Sequence, residues 1–440
     1  MRSSIPNTRL RAVAAALACA IALPAGGAAA QDFRYDAEYP GLEYSGEARA
    51  NPVAELIADL DAGRTELVWG PEHGYLDSLL AALEIDVSSQ TLVYSKTSLQ
   101  YPLISSETPR ALYFNDTVYI GWVQNSDIVE IAAMDAELGP VFYVFHNERE
   151  KGARFGRETG RCLTCHDTQG MMGGGTPALP VRSTLVRRSG APLSVETSTL
   201  TTDRTPLSER WGGWYVTGRH GGQVHMGNVL IEKSAELEGA RLGNLDSLHD
   251  LFDAEPYLAA TSDIVALMVM EHQVEAQNQI AYVQFKGPAV LERTGMAEAA
   301  HAETWEAVPE RAKTYLEPML DELVRLLTFD GAIALDEPVA GGSGFDVWFQ
   351  GRGPADAQGR SLRTLNLETR LFEYPVSYVV QSAAFDALPG FARDYVYRRI
   401  AADLDAREGA QEGAMDGRAA QAALEILSET QPEFAPYAEG

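Results

Sequence analysis

The segment Arg161-Cys162-Leu163-Thr164-Cys165-His166 constrains this chain more than any other stretch of it. Residues i, i+3 and i+4 of a helical turn share one face, so both thiols and the imidazole project to the same side. Three chemistries use a C-x-x-C pair. A redox dithiol ordinarily follows a strand in a βαβ unit, and no such unit is evident around residue 162. A zinc site needs a second pair of ligands, and neither another Cys pair nor an H-x3-H segment follows. The third is attachment of haem: Cys162 and Cys165 form thioethers with the two vinyl groups along one haem edge, and His166 gives a nitrogen to the iron. The adjacent His favours this chemistry. The motif occurs once, so the sequence predicts one covalently attached haem c per chain.

Cysteine use points the same way. The chain has three cysteines, and the remaining one, Cys19, falls in an N-terminal leader. Arg2, Arg9 and Arg11 form a basic start. Ala12 to Leu23 is apolar but too short to span a bilayer, and Pro24, Gly26 and Gly27 break it. Ala28-Ala29-Ala30 then offers a small-residue cleavage site, which predicts a mature N-terminus at Gln31. Cys19 also raises a lipid anchor, but Ala16 rather than Leu stands three residues before it. Residues 1–30 are therefore read as a signal peptide and the mature chain as periplasmic or secreted. An exported protein of this size with two cysteines left has no disulfide framework, so the pair is free for a dedicated task.

The formal net charge is −27, and removing a leader that carries Arg and no acid makes it more negative. Such a surface repels nucleic acid and anionic membranes and suits a redox partner with a basic docking surface. No later apolar run is long enough for a membrane-spanning helix.

His166 is the fifth iron ligand in this reading; the sixth has three candidates. Met226 is the first choice, because single-haem cytochromes take a Met some tens of residues downstream. His225 is an equally good ligand type. In an extended segment the two side chains point to opposite faces, so one of them reaches the iron. His272 is the third candidate, on a helix that starts near Ser262-Asp263, although a buried His is more often a hydrogen-bonded core residue. Arg204, Arg210 and Arg219 lie in an aromatic-rich block and are candidates for bidentate contacts to the haem propionates. Ordinary pairing with nearby Asp or Glu competes for each.

The rest reads as an α+β protein: an N-terminal β-rich module, a central haem c segment and a mainly helical C-terminal half. Helices are expected over 51–64 and 76–83. Antiparallel strands are expected over 92–95, 111–114, 118–123, 128–132 and 141–145, where β-branched and aromatic runs alternate with Asn/Asp/Ser turns. Helix plus β module thus occupies 31–150, the haem-binding region 151–230 and the mainly helical region 231–440. The expected helices of that half are 262–285, 310–328, 376–386, 390–404 and 417–429. Gly341-Gly342-Ser343-Gly344 is read as a turn, since Phe345 stands where a nucleophile elbow has its last Gly.

CLTCH, the upstream PRALYFNDTVYIGWV, the downstream ERWGGWYVTG and HMGN, and the late RLFEYPVSY and AFDALP together resemble a group of large, single-haem bacterial cytochrome c domain proteins. The resemblance covers most of the mature chain. It implies haem binding and electron transfer, and that the Trp211–Asn228 block belongs to the haem-containing core.

Two functions follow as expectations. The first is periplasmic electron transfer: one haem, no other cofactor motif and an acidic body. The second is a haem-dependent oxidoreductase of peroxidase or oxygenase type, with an open or weakly held sixth position and a polar distal group such as His225 or His272. The length of the chain, far beyond what wraps one haem, is the argument for the second.

Overall fold

The structure is a computed structural model that describes residues 44–48, 50–166, 175–194, 198–233, 236–237, 243–408 and 417–438. The expected leader, the Gly173-Gly174 part of the loop after the cysteine motif and the 409–416 stretch of the late linker lie outside the described residues.

Helix α1 (Pro52–Asp61) starts where Asn51 Oδ1 accepts the Ala54 N–H and Pro52 fills the first position. Helix α2 (Leu76–Ala82) buries Leu76, Leu79 and Leu80. A six-stranded antiparallel sheet follows, with its strands adjacent in chain order. They are β1 (Thr91–Val93), β2 (Arg110–Phe114), β3 (Val118–Trp122), β4 (Ile128–Asp135), β5 (Gly139–His146) and β6 (Arg154–Glu158). A long connection from β1 to β2, then short turns between β-branched and aromatic runs from β2 to β5, make a meander, as the sequence led one to expect for β1 to β5. Strand β6 escapes that reading, because Phe155 is its sole large apolar residue. It pairs with β5 through Phe155 opposite Phe145 and runs straight into the cysteine motif.

The motif forms the short helix α3 (Leu163–His166). A two-stranded ribbon, β7 (Arg182–Thr184) and β8 (Ser198–Leu200), comes next. The C-terminal half is helical and centres on α4 (Ile264–Arg293). Asp263 caps α4 by accepting from Val265 and Ala266 N–H, and its other oxygen accepts from Gly342 and Ser343 N–H. The glycine joint is thus a turn fitted to that carboxylate: a Cβ at Gly341 would stand 2.6 Å from Asp263 Oδ2. Helix α4 is buried almost all round, as expected of a central helix, and it continues past the anticipated residue 285 through Pro288.

Helices α5 (Glu310–Leu327), α6 (Phe345–Gln350), α7 (Ala383–Asp386), α8 (Gly390–Glu408), α9 (Gly417–Thr430) and α10 (Ala435–Ala438) complete the half. Helix α4 also touches the sheet. Gly139, at the β4–β5 turn with φ +63°, lies so close that an added Cβ would be 2.8 Å from Ala281 Cβ. One continuous apolar cluster runs from Tyr44 to Phe434. The architecture is α+β, with the sheet N-terminal and the helices C-terminal. Among the described residues no helix is long and apolar enough to cross a membrane.

Candidate functional site

A cavity of about 470 Å³ lies between the sheet, α3 and α4. Its floor is one face of the meander. Period-2 alternation puts Tyr119 and Gly121 of β3, and Glu130 and Ala132 of β4, on the same side. The register aligns Leu112, Gly121 and Glu130 in one row and Tyr119, Ala132 and Phe142 in the next. Gly121 and Ala132, at the middle of that floor, leave the space that larger side chains would fill. Leu179, Pro180, Val181 and Trp214 wall the cavity, and α4 closes it with Met270 and Val274.

Cys162, Cys165 and His166 all line this cavity. The turn closes as expected, with Cys165 and His166 N–H both donating to the Cys162 carbonyl. The two thiols are free, Cys165 exposed and Cys162 half-buried. Burial, reinforced by Glu158 and Glu130, pushes the Cys162 thiol up to about 12. The attacking thiol of a redox-active C-x-x-C pair has a depressed pKa instead, which Cys162 lacks. Among the described residues no three His, Cys, Asp or Glu side chains gather as a zinc site would require.

His166 Nδ1 lies 2.9 Å from the Ala178 carbonyl oxygen. A carbonyl only accepts, so Nδ1 carries the proton and Nε2 keeps its lone pair. Burial holds the imidazole below the usual histidine pKa despite that bond. This neutral, backbone-anchored ring is the form in which His ligates metals. The ring packs on Phe142 at 4.7 Å between centroids. Ala178 is itself fixed by the next residue: Leu179 N–H donates to Asn278 Oδ1 at 2.8 Å, and Asn278 Nδ2 donates to the Leu179 carbonyl at 3.0 Å.

Among the described residues, three cationic side chains line the cavity: Lys96, Arg110 and Arg182. Arg110 pairs with Glu130 at 3.0 Å. Burial alone would raise the Glu130 carboxyl, but Arg110 and hydrogen bonds from Gln100 and Leu99 N–H hold it below the usual range. Arg182 Nε donates to Ser198 Oγ at 3.0 Å. The residues present fit a haem c: two thiols and an imidazole with a free Nε2 on one edge, an apolar interior, and cations for its carboxylates. The volume lies within the roughly 300–1,000 Å³ of ordinary ligand pockets.

The other sequence candidates do not line this cavity. Met226 packs with Leu185, Val229 and Ile231 in a small separate cluster. His225 is buried against Trp211 and His220, and its Nδ1 accepts the Gly227 N–H at 3.0 Å. Arg204 pairs with Glu322 on the surface, and Arg219 with Asp246. Arg210 is buried, bonded to Glu271 at 2.9 Å and to the carbonyls of Thr205 and Asp203.

His272 lines a second cavity, of about 680 Å³, together with Glu271, Arg210 and Phe372. Its Nε2 is 2.7 Å from Ser377 Oγ, and burial, helped by Arg325, lowers its pKa to about 3. Burial pushes Glu271 up to about 7 against the charge of Arg210. Helix α4 therefore divides the two cavities: Met270 and Val274 face the first, Met268, Glu271 and His272 the second.

Sequence reasoning did not single out Met270, Lys96, Arg110 or Arg182. The PRALYFNDTVYIGWV block held a usable signal for one of them, since Arg110 and Leu112 alternate onto the face of the floor. No protein-family model, no curated protein and no solved structure matches this chain.

Proposed function

We propose that this chain is an exported, single-haem c-type cytochrome that serves electron transfer. One observation carries the reading: both motif thiols and an imidazole with a free Nε2 line one apolar cavity of ligand size. Haem c, when bound, supplies a one-electron couple whose potential depends on its axial ligands and burial. The chain's own residues do the rest. Cys162 and Cys165 hold the haem edge, Ala178 fixes the His166 ring, and Gly121 and Ala132 leave room over the sheet. Arg110, Arg182 and Lys96 are the cations for the propionates, in place of Arg204, Arg210 and Arg219.

An oxidoreductase of peroxidase type needs a polar acid–base side chain beside the open iron position. The histidines considered for that part, His225 and His272, lie outside the cavity lining, and the carboxylate that does line it, Glu130, is tied up with Arg110, which favours electron transfer.

The test is acid–acetone extraction of the protein expressed in a host that matures c-type cytochromes. Haem is expected to stay with the wild-type chain and to stain it on a denaturing gel. The double variant Cys162→Ala/Cys165→Ala should lose it. Haem extracted from the wild type would refute the proposal.

A further inference from the structure

The question left by this reading is what binds the iron opposite His166. A sixth ligand has to reach the same cavity, which limits the choice to side chains that line it. Thiols, His166 and the guanidinium groups apart, the ligand types among the described lining residues are Lys96, Tyr119, Tyr143, Met270 and Glu130, the last already paired with Arg110.

Tyr119 is engaged elsewhere. Its hydroxyl donates to Gln277 Oε1 at 2.7 Å and accepts from Gln273 Nε2 at 2.5 Å. Tyr143 Oη is met by Asn51 Nδ2 at 3.4 Å, and Arg157 stands over its ring at 5.7 Å. Lys96 is half-exposed and follows β1 at the cavity's polar edge, between Ser95 and Thr97. Its ammonium keeps more hydration there than an apolar interior would allow. Met270 remains. It is 2 % exposed, its thioether is a soft ligand of the type haem iron accepts, and its flexible side chain adapts to an irregular space.

The scaffold supports the same residue. Met270, Val274 and Asn278 are spaced i, i+4, i+8 and form one stripe of α4. Met270 and Val274 line the cavity, and Asn278 grips both backbone groups of Leu179. The residue before Leu179 is Ala178, whose carbonyl orients His166. The thioether thus sits on α4, and the segment that orients the imidazole is clamped to that same helix. Met226 has no such link: it packs in a cluster apart from the cavity.

We infer that Met270, rather than Met226, His225 or His272, supplies the sixth ligand of the iron. The inference rests on the haem c reading. It makes the iron six-coordinate with one nitrogen and one sulfur ligand, a combination that raises the potential relative to two nitrogens.

The experiment takes the full, matured protein and first establishes by acid–acetone extraction that haem is covalently attached, so that failure of the haem reading is recognised separately. The oxidised wild type should then have the weak far-red sulfur-to-iron charge-transfer band. The band should vanish in Met270→Leu, a swap of nearly equal volume that cores tolerate, and persist in Met226→Leu. Met270→His should lower the midpoint potential. Should Met270→Leu fail to accumulate, proton NMR of the reduced wild type decides: a Met methyl strongly shifted by the haem ring current, assigned to residue 270, is expected. A band retained in Met270→Leu, a band lost in Met226→Leu, or a wild-type spectrum of two nitrogen ligands, Lys96 included, would overturn the inference.

Discussion

His272 has a role that its burial makes measurable. Its pKa is lowered from 6.5 to about 3 by burial and by Arg325, and its Nε2 lies against Ser377 Oγ. Below pH 6.5 the unfolded chain takes up a proton at this ring and the folded chain does not. Its contribution to stability is therefore full above pH 6.5 and is lost as the pH falls toward 3, at about 1.4 kcal/mol per pH unit. Gln at this position keeps a polar group near Ser377 and has nothing to titrate. Between pH 6.5 and 4, His272→Gln is expected to lose about 3 kcal/mol less unfolding free energy than the wild type. Chemical denaturation of both proteins across that range measures the difference, and parallel pH profiles would refute it. Glu271 shifts the opposite way, up to about 7; being common to both proteins, its effect cancels in the comparison.

Helix α4 is the element on which the site depends. It approaches the sheet at Gly139, lines both cavities, and anchors the segment that orients His166. Its Asn278 satisfies an N–H and a carbonyl of Leu179, and each buried backbone group left without a partner costs about 1–3 kcal/mol. Asn278→Ala should therefore destabilise the fold by at least about 2 kcal/mol. Asn278→Asp keeps the acceptor for Leu179 N–H and should recover part of that loss; equal stability of all three chains would show that the clamp is idle. This helix also marks where the sequence stops being legible. Its start was readable from Ser262-Asp263, because capping is a local signal. Its orientation was not: Ile264 to Met270 is apolar throughout, so periodicity names no face, and Met270 could not be told from Met268. Strands β2 to β5 were readable because β-branched runs end at Asn/Asp turns. Strand β6 was not, since Arg154-Phe155-Gly156-Arg157-Glu158 gains its place from pairing with β5 rather than from its own composition. The helical turn of the motif was readable too, because it lies within one short run of residues.

At the scale of the whole molecule, the cavity belongs to no single segment. Its lining runs from Ser95 on the sheet side to Val274 on α4, and one apolar cluster joins both halves. That is why choosing Met226 by its distance from His166 along the chain led to a residue outside the cavity lining: such spacing presumes a haem domain contiguous in sequence, and here the walls come from both halves. The size of the chain likewise has a structural use, since sheet and helices together enclose the site. What the exterior contributes is charge. With a formal net charge of −27, the surface would attract any cationic protein over a distance set by the Debye length, about 10 Å at 0.1 M salt and about 3 Å at 1 M. Electrostatic steering of this kind raises association rates by roughly 10- to 1,000-fold. If the chain exchanges electrons with a basic protein, the second-order rate should fall by at least about tenfold as ionic strength rises from about 10 mM to about 0.5 M. With an acidic protein of similar potential the trend should reverse, because screening then relieves repulsion. Stopped-flow mixing of the reduced chain with each oxidised protein measures both slopes. Rates insensitive to salt in both cases would mean that the acidic surface plays no part in choosing the partner.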